Sequence, residues 1–567
     1  MKGKIIGLVV SIILIVGLAI SLVFGIRLAN KSSNPSNNPL YKSSKGIAAV
    51  CNPTDYKDVC AQSLNTLSNN ETATPEDYLQ VAINVTIDAI NEGIAKSAYI
   101  GQSANDSLNR MGFQDCKELL QLAIHELEAT SADIRSSNAY KISERINELK
   151  NWLSAAVAYK EACLDGVDQR DLKELMTRGL ANSTQLISNL LAIVSDMDQI
   201  LDKFDIKRNK TLSYRRLLNV GSSKVTLNNG YPSWFSAAER KLLGRINTNN
   251  PNPNVVVASD GSGQFRTISA ALAAYPKNLQ GRYVIYVKAG IYDEQVLVTK
   301  DQVNVFMYGD GPRKTIITGR KNYAEGVSTY QTATLAVIGN RFIGKSMGFQ
   351  NTAGPQGHQA VALRVQSDMA AFYNCRMDGY QDTLYAQAHR QFYRNCVISG
   401  TIDFIFGDGN AFIQNSLVIV RRPMDGQQNT VTAQGKTDSR ETTGIVIHNC
   451  RVVPEQKLFP IRITIQTYLG RPWKKFSTVI FMQSTLADFI NPAGWLPWSG
   501  NFALDTLFFA EFANQGPGAD TSKRVRWKGY HVISNPRDAL RFTIDPFIQG
   551  NEWIPASGTP FLVGLKH

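Results

Sequence analysis

Two kinds of periodicity in one chain predict a multidomain protein: an N-terminal all-α four-helix bundle, then a C-terminal all-β domain, a right-handed parallel β-helix. Three observations carry this. Between about residues 47 and 204, apolar residues fall at helical spacing in four stripes. From Val255 the stripes stop, and short runs of Val, Ile, Phe and Thr alternate with Gly and Asn. In that second half Phe349, Phe372, Phe392 and Phe412 open similar segments, whose Asn351, Asn374, Asn395 and Asn415 recur about every 20–23 residues, a solenoid period. At 567 residues the chain is too long for one compact core.

The first segment, 1–30, is a signal anchor or signal peptide. Ile5 to Gly25 carries no charge and follows Lys2 and Lys4, long enough to span a bilayer, and no clear small-x-small cleavage site is visible. Either reading sends the remainder into the secretory lumen. The Asn-x-Ser/Thr sequons at Asn70, Asn84, Asn105, Asn182 and Asn209 agree; Asn30 is a sixth, too near the membrane to count, and none follows Asn209.

The helical half, 45–205, follows a Ser-, Asn- and Pro-rich linker. Its stripes run through Leu79, Ala82, Ile83 and Ile87; Leu119, Leu120, Ala123, Ile124 and Leu127; Ile142, Ile146, Leu149, Leu153 and Val157; and Leu186, Leu190, Ile193, Met197 and Leu201. Four such helices with short breaks suggest an up-and-down bundle. Cys51, Cys60, Cys116 and Cys163 read as two disulfides in an oxidising lumen, with three pairings open.

Residues 206–250 are polar and unpatterned, an interdomain linker. Arg215-Arg216-Leu217-Leu218 and Arg240-Lys241-Leu242-Leu243 are candidate sites for a processing protease, freeing the second half from a helical pro-domain.

The β-helix, 251–560, carries most of the positive charge. The whole chain is +13, and Gly244 to His567 holds 33 Lys and Arg against 22 Asp and Glu. This excess suggests a polyanionic partner, and the absence of nucleic-acid motifs argues against nucleic acid. Residues one period apart stack on successive coils at roughly 4.8 Å. Asp382 and Asp403 are therefore neighbours on one face. Cys375 and Cys396 share that spacing and are expected to form a disulfide between coils, with Cys450 left as a buried free thiol.

Two stacked aspartates do not both ionise easily, so one serves as acid and the other as nucleophile or base. Gln359 and Gln381 offer amide donors for an oxyanion. Arg471 can hold a carboxylate through two hydrogen bonds. Trp473, Tyr380, Phe404 and Tyr385 are aromatics suited to sugar faces. Taken singly, each is more often core or turn material; the clustering in one set of repeats is the signal.

The first half resembles the plant invertase and pectin methylesterase inhibitor family, through Cys51, Cys60, Cys116 and Glu161-Ala162-Cys163-Leu164-Asp165-Gly166, where Ala162 replaces that family's Thr. The resemblance implies Cys51–Cys60 in an N-terminal hairpin and Cys116–Cys163 tying two helices. From about Val255 onward the chain resembles plant pectin methylesterases, through Asp260-Gly261-Ser262-Gly263, Gly290 to Glu294, Gln359 to Arg364, Gly379 to Tyr385, Asp403 to Gly407 and Leu469 to Trp473. This implies an esterase that removes methyl esters from cell-wall homogalacturonan, with Asp403 as nucleophile, Asp382 as acid then base, Gln359 and Gln381 at the oxyanion and Arg471 orienting Asp403. Thr329 and Trp473 match substrate-contact residues. No cofactor and no metal are implied. The implied setting is the cell wall, with a proteinaceous inhibitor as a further partner and the membrane touched only through the N-terminal segment.

Gly344-Lys345-Ser346-Met347-Gly348 matches a serine-nucleophile elbow formally, but no helix is expected after it. A calcium-dependent lyase would need several clustered acids, and an inverting hydrolase carboxylates roughly 6.5–9.5 Å apart, more than one coil spacing.

Overall fold

The computed structural model describes residues 45–136, 142, 144–204, 206, 227–228, 231–232 and 252–566. The N-terminal apolar segment, Asn209 and both dibasic sites lie outside the described residues.

Long helices Pro75–Gly101, Ser107–Ser136, Ile146–Asp165 and Ala181–Ser195 form the bundle, with short helices Lys45–Cys51 and Lys57–Ser63 before it, Arg170–Gly179 between the last two and Met197–Lys203 after it. Local chemistry sets the first long helix. Pro75 pre-sets the first turn, the Asp77 amide donates to Thr74 Oγ1, and the Thr74 amide donates back to Asp77, a reciprocal cap. Its face Leu79, Ile83 and Ile90 is buried against Leu120, Leu153 and Leu190 from the other three helices. Each such side chain contributes about 1.5–3 kcal/mol on leaving water. Cys51 is bonded to Cys60 and Cys116 to Cys163, so each bridge joins elements already packed together.

The second half is a parallel β-helix. Its strands form three parallel sheets of 11, 8 and 7 strands, visited in turn so that each coil contributes to each face. The register is set by a ladder of turn residues. Ser346, Asn374, Asn395, Asn415, Asn449 and Gln483 follow directly on aligned strand ends, and all have φ between 50° and 55°. Asn adopts this left-handed conformation at low cost, which explains its recurrence. Ser346, and not Asn351, holds the slot of Asn374. Asn351 ends the next strand and donates to the carbonyls of Lys321, Thr332 and Val361. Phe372 pairs in register with Tyr393, one residue past Phe392.

The expected Cys375–Cys396 disulfide is absent. Cys375, Cys396 and Cys450 are all buried free thiols. The register does align the first two, because Arg376 pairs with Val397. But parallel, in-register side chains keep their Cβ atoms about 4.8 Å apart and pointing the same way, whereas a disulfide needs about 3.8 Å and converging bonds. The thiols turn to carbonyls instead: Cys375 Sγ donates to Gly344 O at 3.3 Å and Cys396 Sγ to Phe372 O at 3.4 Å.

Alternation within the 7-stranded sheet builds the site. Leu335, Leu363, Leu384 and Ile405 stack inward in one fully buried row. The next residue of each strand faces outward: Ala336, Arg364, Tyr385 and Phe406. Tyr385 and Phe406 stack with ring centroids 4.3 Å apart.

Candidate active site

Just before these strands the chain turns out of the coil at Asp382 and again at Asp403. Both adopt left-handed backbone, φ 62° and 51°, which Asp tolerates better than bulkier residues and which is commonest where a site over-determines the backbone. Leu384 pairs with Ile405, so the two aspartates are in register on adjacent coils. The amide of Asp382 donates to Ile402 O at 3.1 Å, which ties the first turn to the coil of the second.

The two carboxyl groups live differently. Arg471 Nε donates to Asp403 Oδ1 at 2.9 Å and Nη2 to Oδ2 at 2.5 Å, a two-point clamp. Thr430 Oγ1 donates to the same Oδ1 at 2.6 Å and accepts from the Asp403 amide at 2.9 Å. Asp382 has no such clamp. Burial, then the neighbouring Asp403 charge, pushes its carboxyl well above the ordinary range, against a smaller pull from Arg471. One acid is thus ion-paired to a cation, and burial beside it favours the protonated form of its neighbour.

Gln359 and Gln381 bridge across adjacent coils and line the same cavity of about 440 Å³ as Asp382, Asp403, Arg471, Thr329 and Trp473. Tyr385, Phe406 and Ala433 complete its floor. The cavity therefore offers a clamped carboxylate, a carboxyl whose protonated form burial favours, two amide donors and aromatic surface, a set suited to acyl transfer on a sugar. Among the described residues, no group of three His, Cys, Asp or Glu is placed to hold a metal ion.

Two expected substrate contacts lie elsewhere. Phe404 is fully buried in the β-helix core; Asp403 faces out, so strand alternation turns its successor in. Tyr380 turns from the cavity toward Arg421, whose guanidinium lies 3.8 Å from its ring and donates to Tyr380 Oη and Gly379 O. Ser346, in the formal elbow, sits in the turn ladder and leads into the strand Gly348–Asn351 rather than a helix. Sequence reading missed Thr430 and Trp498. Trp498 lines the cavity and stacks 4.4 Å from the Arg471 guanidinium; an exposed Trp in a Pro- and Gly-rich loop, outside the repeats, offered no pattern. Thr430 was legible only as the residue one coil beyond Asp403.

The bundle forms the other wall. Leu108, Asp115, Asp165 and Asp168 line the cavity from above. Asp115 accepts from Ser328 Oγ and Gln331 Nε2, both at 2.5 Å, and burial, partly offset by these two donors, pushes its carboxyl up to about 6. Glu126 is buried against Lys300 at 2.5 Å and His389 at 3.3 Å; burial alone would raise it, but these partners hold it at about 2. Tyr323 bonds Asp168, Arg440 pairs with Asp55 at 2.8 Å, and Ser188 donates to Asp438 at 2.8 Å. None of these contacts touches Asp382, Asp403, Gln359, Gln381 or Arg471. The bundle thus sits over the cleft, bonded to its edges. Asn70, Asn84, Asn105 and Asn182 are all exposed on it.

Two family models match the chain: Pectinesterase over residues 254–551, and Plant invertase/pectin methylesterase inhibitor over residues 45–193. The Arabidopsis thaliana protein described as "Probable pectinesterase/pectinesterase inhibitor 21" is 43% identical over 524 residues, 92% of this chain and 76% of that one. A second Arabidopsis thaliana protein, "Probable pectinesterase/pectinesterase inhibitor 58", is 43% identical over 91% of this chain and 90% of its own. Among solved structures, the pectin methylesterase from carrot is 51% identical with a TM-score of 0.55, covering 55% of this chain and 98% of the carrot chain. The carrot chain matches a share of this chain the size of the β-helix.

Proposed function

The chain belongs to the pectinesterase family and carries a plant invertase/pectin methylesterase inhibitor domain ahead of the esterase, and from that premise we propose how its cleft removes methyl esters from pectin. The observation that carries the reading is the unequal pair: Asp403 clamped by Arg471, and Asp382 beside it, unclamped and buried so that its protonated form is favoured.

Asp403 attacks the C6 carbonyl of a methyl-esterified galacturonate. The amides of Gln359 and Gln381 donate to the developing oxyanion. As the tetrahedral intermediate collapses, Asp382 gives its proton to the methoxide oxygen and methanol leaves. Asp382, now a carboxylate, takes a proton from water as that water attacks the acyl-enzyme, and Asp403 is released as a carboxylate with the free acid of the polymer. Trp473, Thr329, Tyr385 and Phe406 hold neighbouring sugar units. Methanol release from methylated pectin, without chain shortening or an unsaturated product, tests the reaction. Depolymerisation in its place would reject the reading.

The bundle acts in cis as an inhibitor. A polymer needs an open groove, and the rim contacts of Asp115, Glu126 and Asp168 close it. A tether holds the bundle there at high effective concentration. Cleavage at Arg215-Arg216 or Arg240-Lys241 by a processing protease then frees the β-helix for the cell wall, after glycans at Asn70, Asn84, Asn105, Asn182 and Asn209 have served the precursor. The N-terminal segment directs the precursor into the secretory route, as anchor or cleaved signal. Following the chain through secretion tests this: a mature protein that still carries residues before Arg215 would reject processing, and full activity of the uncut chain would reject inhibition.

A further inference from the structure

After the helix Gly550–Ser557 the chain runs on through residues 559–566 without regular structure, and among the described residues no backbone–backbone hydrogen bond involves this tail. Two glutamine side chains hold it instead. Gln414 Nε2 donates to Leu562 O at 2.9 Å, and Gln414 Oε1 accepts from the Leu562 amide at 2.8 Å. Gln483 makes the same pair of bonds to Lys566, both at 2.7 Å. A primary amide carries the donor and acceptor of a peptide group, so each glutamine stands in for a missing strand partner. Phe561 and Leu565 of the tail pack on the apolar cluster that includes Phe412.

His448 lies between the two anchors. It pairs in register with Gln414 on one coil and with Met482, the neighbour of Gln483, on the next. Its Nδ1 is 3.2 Å from Gln414 Nε2 and its Nε2 is 3.0 Å from Gln483 Oε1. Neither glutamine can turn over, because each is fixed by the N–H and C=O of its tail residue; Arg394 also donates to Gln414 Oε1, at 2.6 Å. The ring must therefore accept at Nδ1 and donate from Nε2, which only the neutral Nε2–H tautomer does. A second proton, on Nδ1, would face the amide hydrogens of Gln414. The charged and titratable groups nearby do not welcome it. They are Arg394 one coil before Gln414, Lys566 on the tail, which donates to Asn449 at 3.3 Å, and the Cys450 thiol, which donates to His448 O at 3.3 Å. Among the described residues no carboxylate acts on the ring.

We propose that Gln414, His448 and Gln483 form a proton-sensitive latch on the C-terminal strap, shut while His448 is neutral and released when Nδ1 takes a proton, which bares the apolar cluster under Phe561 and Leu565. Burial lowers the His448 pKa below its ordinary 6.5, with a smaller push from Arg394 and against the pull of the Gln483 bond. The strapped state thus binds this proton less well than the released one. The latch is at full strength above pH 6.5 and weakens below it, by up to about tenfold per pH unit until the strapped ring itself titrates.

Hydrogen exchange of peptide 559–566 in the full chain, corrected for intrinsic rate, reads the latch. Between pH 6.5 and about 5, protection of the Leu562 and Lys566 amides should fall about tenfold, while the helix Gly550–Ser557 keeps its own. His448→Gln should abolish this slope. Gln414→Glu offers an acceptor to a protonated Nδ1, so its protection should not fall with acid, whatever level it starts from. Wild-type protection that stays level from pH 7 to 5 overturns the proposal, and so does an unchanged slope in either variant. If His448→Gln does not fold, the wild-type profile and Gln414→Glu decide the matter.

Discussion

The bundle and the β-helix solve the same problem, a long chain with one buried core, by opposite means. The bundle ties helices with covalent bonds, Cys51–Cys60 between two consecutive short helices and Cys116–Cys163 between two long ones. The β-helix keeps three cysteines in one aligned turn position and bonds none of them. The difference follows from geometry. Helices meet at angles, so Cβ vectors from neighbouring helices can converge. Coils stack in register, so like residues stay parallel and a coil apart. The β-helix then gains its stability from repetition, and it is repetition that places Asp382 beside Asp403. The bundle meets the same cavity as a wall, through Leu108, Asp165 and Asp168.

The largest expected effect tests that division of labour. Asp403→Ala in the β-helix should lower methanol release by more than about 10³-fold, with unchanged circular dichroism. Removal of the whole bundle should raise the rate. Activity retained in a folded Asp403→Ala protein would return the chemistry to other residues.

The second concerns the covalent contrast. Replacing Cys116 and Cys163 by Ala should destabilise the bundle by about 2–4 kcal/mol, whereas reductant should leave the unfolding transition of the β-helix where it was. Denaturation without reductant, followed by alkylation, should label Cys375, Cys396 and Cys450 and no other described cysteine. A reductant-sensitive β-helix transition would contradict the free thiols.

The third asks how the two regions hold together as pH changes. The Asp115 carboxyl is pushed up to about 6 in the docked state, above its ordinary 3.8. An acid raised on docking favours the protonated form, so docking strengthens as pH falls below 6. From pH 7 to 5 the bundle should bind about tenfold tighter. Glu126 works the other way: held at about 2 against an ordinary 4.5, it contributes fully above that range and is lost as pH falls through it. The gain should therefore fade below about pH 4. Titrating a separated bundle onto the β-helix at several pH values measures this, and Asp115→Asn should flatten the profile between 5 and 7. Weaker binding at pH 5 than at pH 7 would show that another group governs the interface.

The smallest effect sharpens the site. Thr430→Val removes the hydroxyl that holds Asp403 Oδ1 and leaves the Arg471 clamp. A loss of about 1 kcal/mol of orientation, a few-fold in kcat, is expected. Steady-state kinetics on methylated pectin would show it as a fall in kcat with KM little moved. An effect as large as that of Asp403→Ala would mean that Thr430 does more than orient.

Helical stripes at Leu79 to Ile87, the Asn-bearing period and the 21-residue offset of Asp382 and Asp403 were all legible in the chain itself. They are local or periodic, and local propensity and coil repetition act on residues a fixed number of positions apart. Three features were not legible. Phe404 turned into the core beside an outward Asp403 because alternation is decided by where the turn ends. Cys375 and Cys396 stayed unbonded because spacing reports proximity but not the direction of a Cβ bond. The seating of Asp115, Glu126 and Asp165 on Ser328, Lys300 and Lys474 joins residues with more than 170 positions between them. No period spans the linker, so only the packed surfaces of the two domains, meeting shape to shape and charge to charge, decide that contact.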